Sequence, residues 1–147
     1  YQTILNADIP AVDLDGRGTL RVIAGSYLWQ KGPARSFTPI QLYDVQLKAG
    51  GRASLTVPEG DNSSIFVLQG RVSVNGSREA GEAELIVTER SGSQVLIDAQ
   101  ADSRLLVMSG TPIDEPIARY GPFVMNTKAE LTQAVQDYQA GKMGHLS

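Results

Sequence analysis

The 147 residues predict an all-β domain closed by one C-terminal amphipathic helix, and three observations carry that prediction. From Thr19 to Met108, short runs of alternating apolar and polar residues succeed one another, with turn residues roughly every eight to twelve positions. Between two of these runs stands Asn75-Gly76, a dipeptide suited to the positive φ angles of a tight hairpin turn. After Thr127 the period lengthens: Leu131, Ala134, Val135 and Tyr138 fall at i, i+3, i+4 and i+7, a single apolar stripe on a helix. Many short strands with regular turns mean a sandwich or a barrel, and periodicity alone leaves both open.

Taken in order, residues 1–18 are polar and irregular, with Pro10 and turn signals at Asp15-Gly16 and Arg17-Gly18, and read as a linker arm. Residues 19–109 are the expected β-sandwich or barrel. Thr19 to Ala24 alternates as a half-buried strand, and Ser26 to Trp29 reads as a further short one. Trp29, the only tryptophan, is expected to be a core or rim aromatic. Gln41 to Leu47 places Tyr43, Val45 and Leu47 on one face, with Asp44 an isolated charge on the other, expected at a barrel mouth or in a buried hydrogen-bonded pair. Arg52 to Val57 alternates again. Ser64 to Gln69 is apolar on both faces, as in a strand between an interior and a covering layer. Val72 and Val74, Glu84 to Val87, Gln94 to Ile97 and Leu105 to Met108 complete the series.

Residues 110–126 carry Pro112, Pro116 and Pro122, which remove backbone donors and fix φ, so this arm is expected to run extended outside any central strand. Residues 127–141 are the helix. Thr127 and Glu130 have the spacing of a capping box, and Gly141 supplies the left-handed stop. Residues 142–147 are a tail.

Composition narrows the function. There is no cysteine, which excludes disulfides and thiolate metal sites and is compatible with the cytoplasm. Net charge is −3 and the thirteen Lys and Arg residues are scattered singly, so no nucleic-acid surface is expected. No apolar run approaches the ~20 residues of a membrane helix. The chain opens at Tyr1 without an initiator methionine, which suggests an excised or processed piece.

The proline-rich arm also resembles a known signature. Pro112, Glu115, Pro116, Gly121, Pro122, Phe123, Met125, Asn126 and Thr127 match the C-terminal pattern of the pirin family, and Gln133, Ala134, Asp137, Tyr138 and Gly141 continue it along the helix. A weaker likeness runs through Arg21-Val-Ile-Ala-Gly25 and Asp44-Val-Gln-Leu47. Pirins are two cupin barrels in one polypeptide, and the resemblance covers the second. It implies a cupin-type double-stranded β-helix (a jelly-roll barrel), a partner in the N-terminal cupin of the same parent, and iron or another divalent metal in that absent half. It further implies that the parent is a quercetin dioxygenase-like enzyme or a partner of transcription factors.

A cupin metal site uses three histidines and a glutamate. Where paired histidines would stand, this chain has Leu55, Thr56 and Val57, and Ser63 occupies the glutamate position. The second motif region, Gly81 to Val107, holds no histidine. The single histidine, His145, lies in the tail and cannot assemble a Ser-His-Asp or Cys-His system. Asp114 and Glu115 point to opposite sides of an extended arm, and Asp13 and Asp15 read as turn residues. No catalytic, cofactor-binding or metal-ligating residue is therefore assigned. Arg119, Tyr120 and Phe123 are the expected domain-docking surface, and weak self-association of the isolated half follows from it. The sequence supports a metal-free structural and interaction module. The alternative is a standalone barrel that binds a small apolar ligand or acts as a cofactor-free enzyme.

Overall fold

The structure, a computed structural model, describes residues 2–144 and contains two compact units, residues 2–112 and 113–144. In the first, a 3-10 turn (Asn6–Asp8) precedes strands β1 (Ala11–Asp13), β2 (Gly18–Ala24), β3 (Ser26–Tyr27), β4 (Gln30–Lys31), β5 (Ile40–Leu47) and β6 (Arg52–Thr56). Then follow β7 (Asn62–Gln69), β8 (Arg71–Val74), β9 (Arg78–Gly81), β10 (Leu85–Val87), β11 (Gln94–Ala99) and β12 (Ser103–Gly110).

Two antiparallel sheets result, one ordered β1-β2-β5-β12-β7-β10 and the other β6-β11-β8-β9. Because side chains alternate faces along a strand, every second residue of each sheet enters one shared core. Leu20, Val22, Tyr43, Val45, Ile65, Val67, Leu105 and Val107 meet Leu55, Val72, Val74, Val95 and Ile97 there, most of them at zero exposure. Tyr43 is the largest of these; its hydroxyl donates to the Ser26 carbonyl at 2.6 Å, and its ring meets Tyr27 edge-on at 5.9 Å.

Three sequence expectations need correction in this unit. Residues 1–18 are more than a linker, since Ala11–Asp13 pairs with Thr19–Arg21 and buries Val12. Pro10 masked this strand in the sequence, but its carbonyl still accepts from Val22 N–H at 2.9 Å, and a strand start needs no donor from proline. Trp29 is no core aromatic: it lies on the tight connection between β3 and β4 and is 80% exposed. Leu28 before it takes φ 51°, which turns the chain before Trp29 can reach the interior. The Ser26–Trp29 strand is correspondingly cut to two residues that pair with β4.

Asp44 does take a hydrogen-bonded pairing. On the outer face of β5 it accepts two bonds from Arg104 (Nε to Oδ1 at 3.1 Å, Nη2 to Oδ2 at 3.0 Å) and one from Arg21 Nη1 at 3.3 Å. The fork geometry of Arg104 satisfies both carboxylate oxygens, which a buried charge requires.

The second unit is a β-hairpin and a helix. β13 (Ala118–Tyr120) pairs with β14 (Phe123–Met125), so the arm is not extended throughout but folds back at Gly121-Pro122. Gly121 takes φ 54°, as a two-residue hairpin turn with glycine first demands, and β13 and β14 form a two-stranded sheet. Helix α1 (Lys128–Gln139) starts where the capping box predicts: Thr127 Oγ1 accepts from Glu130 N–H at 3.2 Å, and the Glu130 carboxylate accepts from Thr127 N–H at 2.8 Å. It ends in a Schellman motif, Gly141 N–H on the Tyr138 carbonyl and Lys142 N–H on that of Asp137, with Gly141 at φ 70°. Of the apolar stripe, Leu131 and Ala134 are buried and Val135 half-buried, while Tyr138 is 65% exposed. No helix of the described residues is long and apolar enough to cross a membrane.

Candidate functional site

The barrel interior is the first place to look for chemistry, and it is closed by hydrocarbon. β6 points Ala53 and Leu55 inward and leads into Val57, all three buried, while Thr56 faces out and accepts from Gln94 Nε2 at 3.1 Å. Ser63, at the inward-facing start of β7, donates to Ser109 Oγ at 3.0 Å. Leu55, Val57 and Ser63, the positions expected from the resemblance to answer a cupin ligand set, offer two aliphatic side chains and one engaged hydroxyl, a donor set that does not fit a transition metal. Among the described residues no three His, Cys, Asp or Glu side chains converge as metal ligands. His145 lies outside the described residues.

Ser63 belongs to a buried polar network at one end of the barrel that the sequence reading missed. Ser109 Oγ donates to Asp61 Oδ2 at 2.9 Å, and Thr111 Oγ1 donates to Asp61 Oδ1 at 3.2 Å. Asp61, Ser63 and Ser109 are all 6% exposed or less. Asp61 was hidden in the turn Pro58-Glu59-Gly60-Asp61. The usable signal was polarity at inward positions: β12 alternates Ser103, Leu105, Val107, Ser109 toward the core.

The other sequence-predicted positions are surface features. Asp13 Oδ2 accepts from Gly16 N–H at 2.8 Å, the local bond of a turn residue. Glu115 accepts from the side-chain amide of Asn126 within the second unit. Of the three docking candidates, Arg119 and Tyr120 are exposed on β13, whereas Phe123 is half-buried, its ring edge-on to Tyr138 at 5.9 Å. Arg119 and Tyr120 line a shallow apolar groove with Lys128, Leu131 and Val135 of α1. Arg119 and Lys128 make no ion pair among the described residues, so the groove has a positive rim.

Comparison with known proteins places this architecture. Residues 42–144 match the family model of the pirin C-terminal cupin domain. The chain belongs to the pirin family. It is 45% identical over 143 residues to a Pseudomonas aeruginosa protein provisionally named a quercetin 2,3-dioxygenase, covering 97% of this chain and 50% of that protein. It is 31% identical to human pirin over 148 residues, covering 98% of this chain and 51% of that one. A crystal structure of quercetin 2,3-dioxygenase from Acinetobacter baumannii superposes with a TM-score of 0.90 at 40% identity, over 100% of this chain and 51% of its own. This pirin domain therefore spans about half the length of the relatives it matches.

Proposed function

We propose that this pirin domain is the metal-free, structural and interaction half of a two-cupin protein, and that the metal and any oxidative chemistry belong to the other half. The observation that supports the reading is the donor chemistry at Leu55, Val57 and Ser63, where the resemblance would put metal ligands. Leu55 and Val57 present only carbon, and the Ser63 hydroxyl is committed to Ser109. Iron or another divalent metal that activates oxygen is held by several imidazoles, none of which these positions supply. The relatives' length supports an N-terminal cupin partner, and their names suggest quercetin oxidation for the parent. A transcription-factor partner is the other role the family offers.

In this reading Arg119, Tyr120 and Phe123 contribute to the face that meets the N-terminal cupin. The isolated chain, with Tyr120 and Val124 at 60% exposure or more, then associates weakly with itself. An apolar ligand inside the barrel is the weaker reading, because Leu20, Leu55, Ile65, Ile97 and Leu105 fill that space at zero exposure.

Metal analysis and oxygen-uptake assays on this chain and on the full-length parent test the proposal together. Expected is well under one equivalent of iron, copper, nickel or manganese in this chain and no quercetin consumption, with metal in the parent. Stoichiometric metal in the isolated chain, or quercetin consumption that a chelator abolishes, overturns it.

A further inference from the structure

The Asp61 network borders a cleft that the proposed interaction role does not use. The cleft encloses about 610 Å³, a size suited to a small molecule. One wall is the segment between β2 and β5, held against the barrel by Gly32 N–H on the Gly25 carbonyl at 2.9 Å and Ala34 N–H on the Ile23 carbonyl at 3.0 Å. That approach needs a residue without Cβ: at Gly32 a Cβ would lie 2.5 Å from the Ile23 carbonyl group. The wall is therefore built to a fixed spacing.

Polar groups in this cleft are incompletely satisfied in a consistent sense. Asp61 is 6% exposed and takes one hydroxyl bond on each oxygen, yet it makes no ion pair among the described residues. A carboxylate has about four lone-pair sites, and a buried one is ordinarily matched by a cation. Gln41, on the same cleft, holds its side-chain Oε1 buried with no hydrogen-bond partner. Asp61 thus has hydroxyl donors but no counter-charge, and Gln41 Oε1 has no donor. On the exposed side stand Lys31 and Arg35, whose side chains make no hydrogen bond or ion pair among the described residues. Pro33, Ile40 and Pro58 supply apolar surface between them.

We infer that this cleft binds a small zwitterion of the α-amino-acid type, its ammonium group on Asp61 and Gln41 and its carboxylate on Lys31 and Arg35. A bare metal cation would leave the two basic side chains without a counter-charge, and a simple anion would leave Asp61 and Gln41 unanswered. The inference does not depend on the interaction role proposed above.

Valine tests it, with isobutylamine and isovalerate as the same skeleton lacking the carboxylate or the ammonium group. In titrations of the isotopically labelled chain followed by amide NMR, valine is expected to give saturable shifts at Gly25, Gly32, Gln41 and Asp61. Each truncated analogue should bind at least about tenfold more weakly. Lys31→Ala with Arg35→Ala, both on the exposed rim, should weaken valine while leaving isobutylamine unchanged. Asp61→Asn should weaken isobutylamine and leave isovalerate unchanged. If Asp61→Asn fails to fold, the rim double variant decides. Absence of saturable shifts at these amides, equal binding of valine and isobutylamine, or no response to the rim double variant overturns the inference.

Discussion

In the barrel, Leu20, Tyr43, Leu55, Ile65, Ile97 and Leu105 come from strands distant in sequence and meet at 1% exposure or less. Among the described residues of the C-terminal unit only Leu131 and Ala134 are buried, and Ile113, Ile117, Tyr120, Val124 and Tyr138 all exceed half exposure. The barrel is held by non-local packing that forms together or not at all. The C-terminal unit is specified by neighbours: a glycine-first hairpin turn, a capping box and a Schellman motif, each complete within a few residues. Local signals set where a twelve-residue helix begins and ends, but such a helix is marginal by propensity alone. Truncation inside the barrel should therefore be felt globally, and damage to the caps should stay local.

The sharpest test is Leu55→Ala. Removing a fully buried side chain from the sheet-to-sheet core should cost about 2–5 kcal/mol, read as a shifted denaturation midpoint of the whole barrel. A loss below about 0.5 kcal/mol would mean the core is looser than the burial shows.

Tyr43 offers a test by pH. Burial first, and the neighbouring Tyr27 second, push its hydroxyl up from 10.0 to about 12. The folded state then holds the proton more tightly than the unfolded chain does. The associated stability, complete below about pH 10, is lost as pH rises from 10 through 12, and amounts to about 2–3 kcal/mol. Tyr43→Phe should flatten the stability profile in that window, at the cost at neutral pH of the bond to the Ser26 carbonyl. An unchanged alkaline slope would show that another group governs it.

The Asp44 pairing is intermediate in effect. Asp44→Ala leaves Arg21 and Arg104 side by side without their carboxylate. Arg104 is about half exposed, which moderates the loss to about 1–3 kcal/mol. High salt should narrow the gap between wild type and variant, and a gap that widens with salt contradicts the ionic account.

Smallest and most local is Thr127→Ala, which should cost about 1 kcal/mol, seen as faster hydrogen exchange in α1 while barrel amides keep their protection. The Thr127 hydroxyl, followed by the Thr127 and Asn126 amides, holds the Glu130 carboxyl below its ordinary value. The cap's contribution is thus present above the usual glutamate range and is lost as pH falls through the lowered one. Equal slowing or acceleration in both units would break the distinction between them.

Much of this was readable without the structure. The sequence pattern placed nine of the twelve barrel strands among the described residues and missed β1, β4 and β9, because a sheet with one buried face must alternate but strands of two to four residues are too short to show it; Thr127, Glu130 and Gly141 marked the helix ends, because caps use nearest neighbours. The proline-rich signature identified the family. Two of the errors came from giving proline too much weight: Pro10 concealed β1, and Pro112, Pro116 and Pro122 concealed the hairpin that Gly121 permits.

What the sequence determined by itself was accordingly most of the barrel strands, the faces they bury, the ends of the helix and the absence of histidine from residues 1–144, since all of these depend on residue type and short spacing. Only the tertiary structure decided which distant residues share an environment. It brought Asp61 to Ser63, Ser109 and Thr111, set Arg21 and Arg104 on Asp44, and left Trp29 in solvent. Strand order is not written in any local pattern; it follows from closing two sheets over one core, and the cleft beside Asp61 exists only once that closure has occurred.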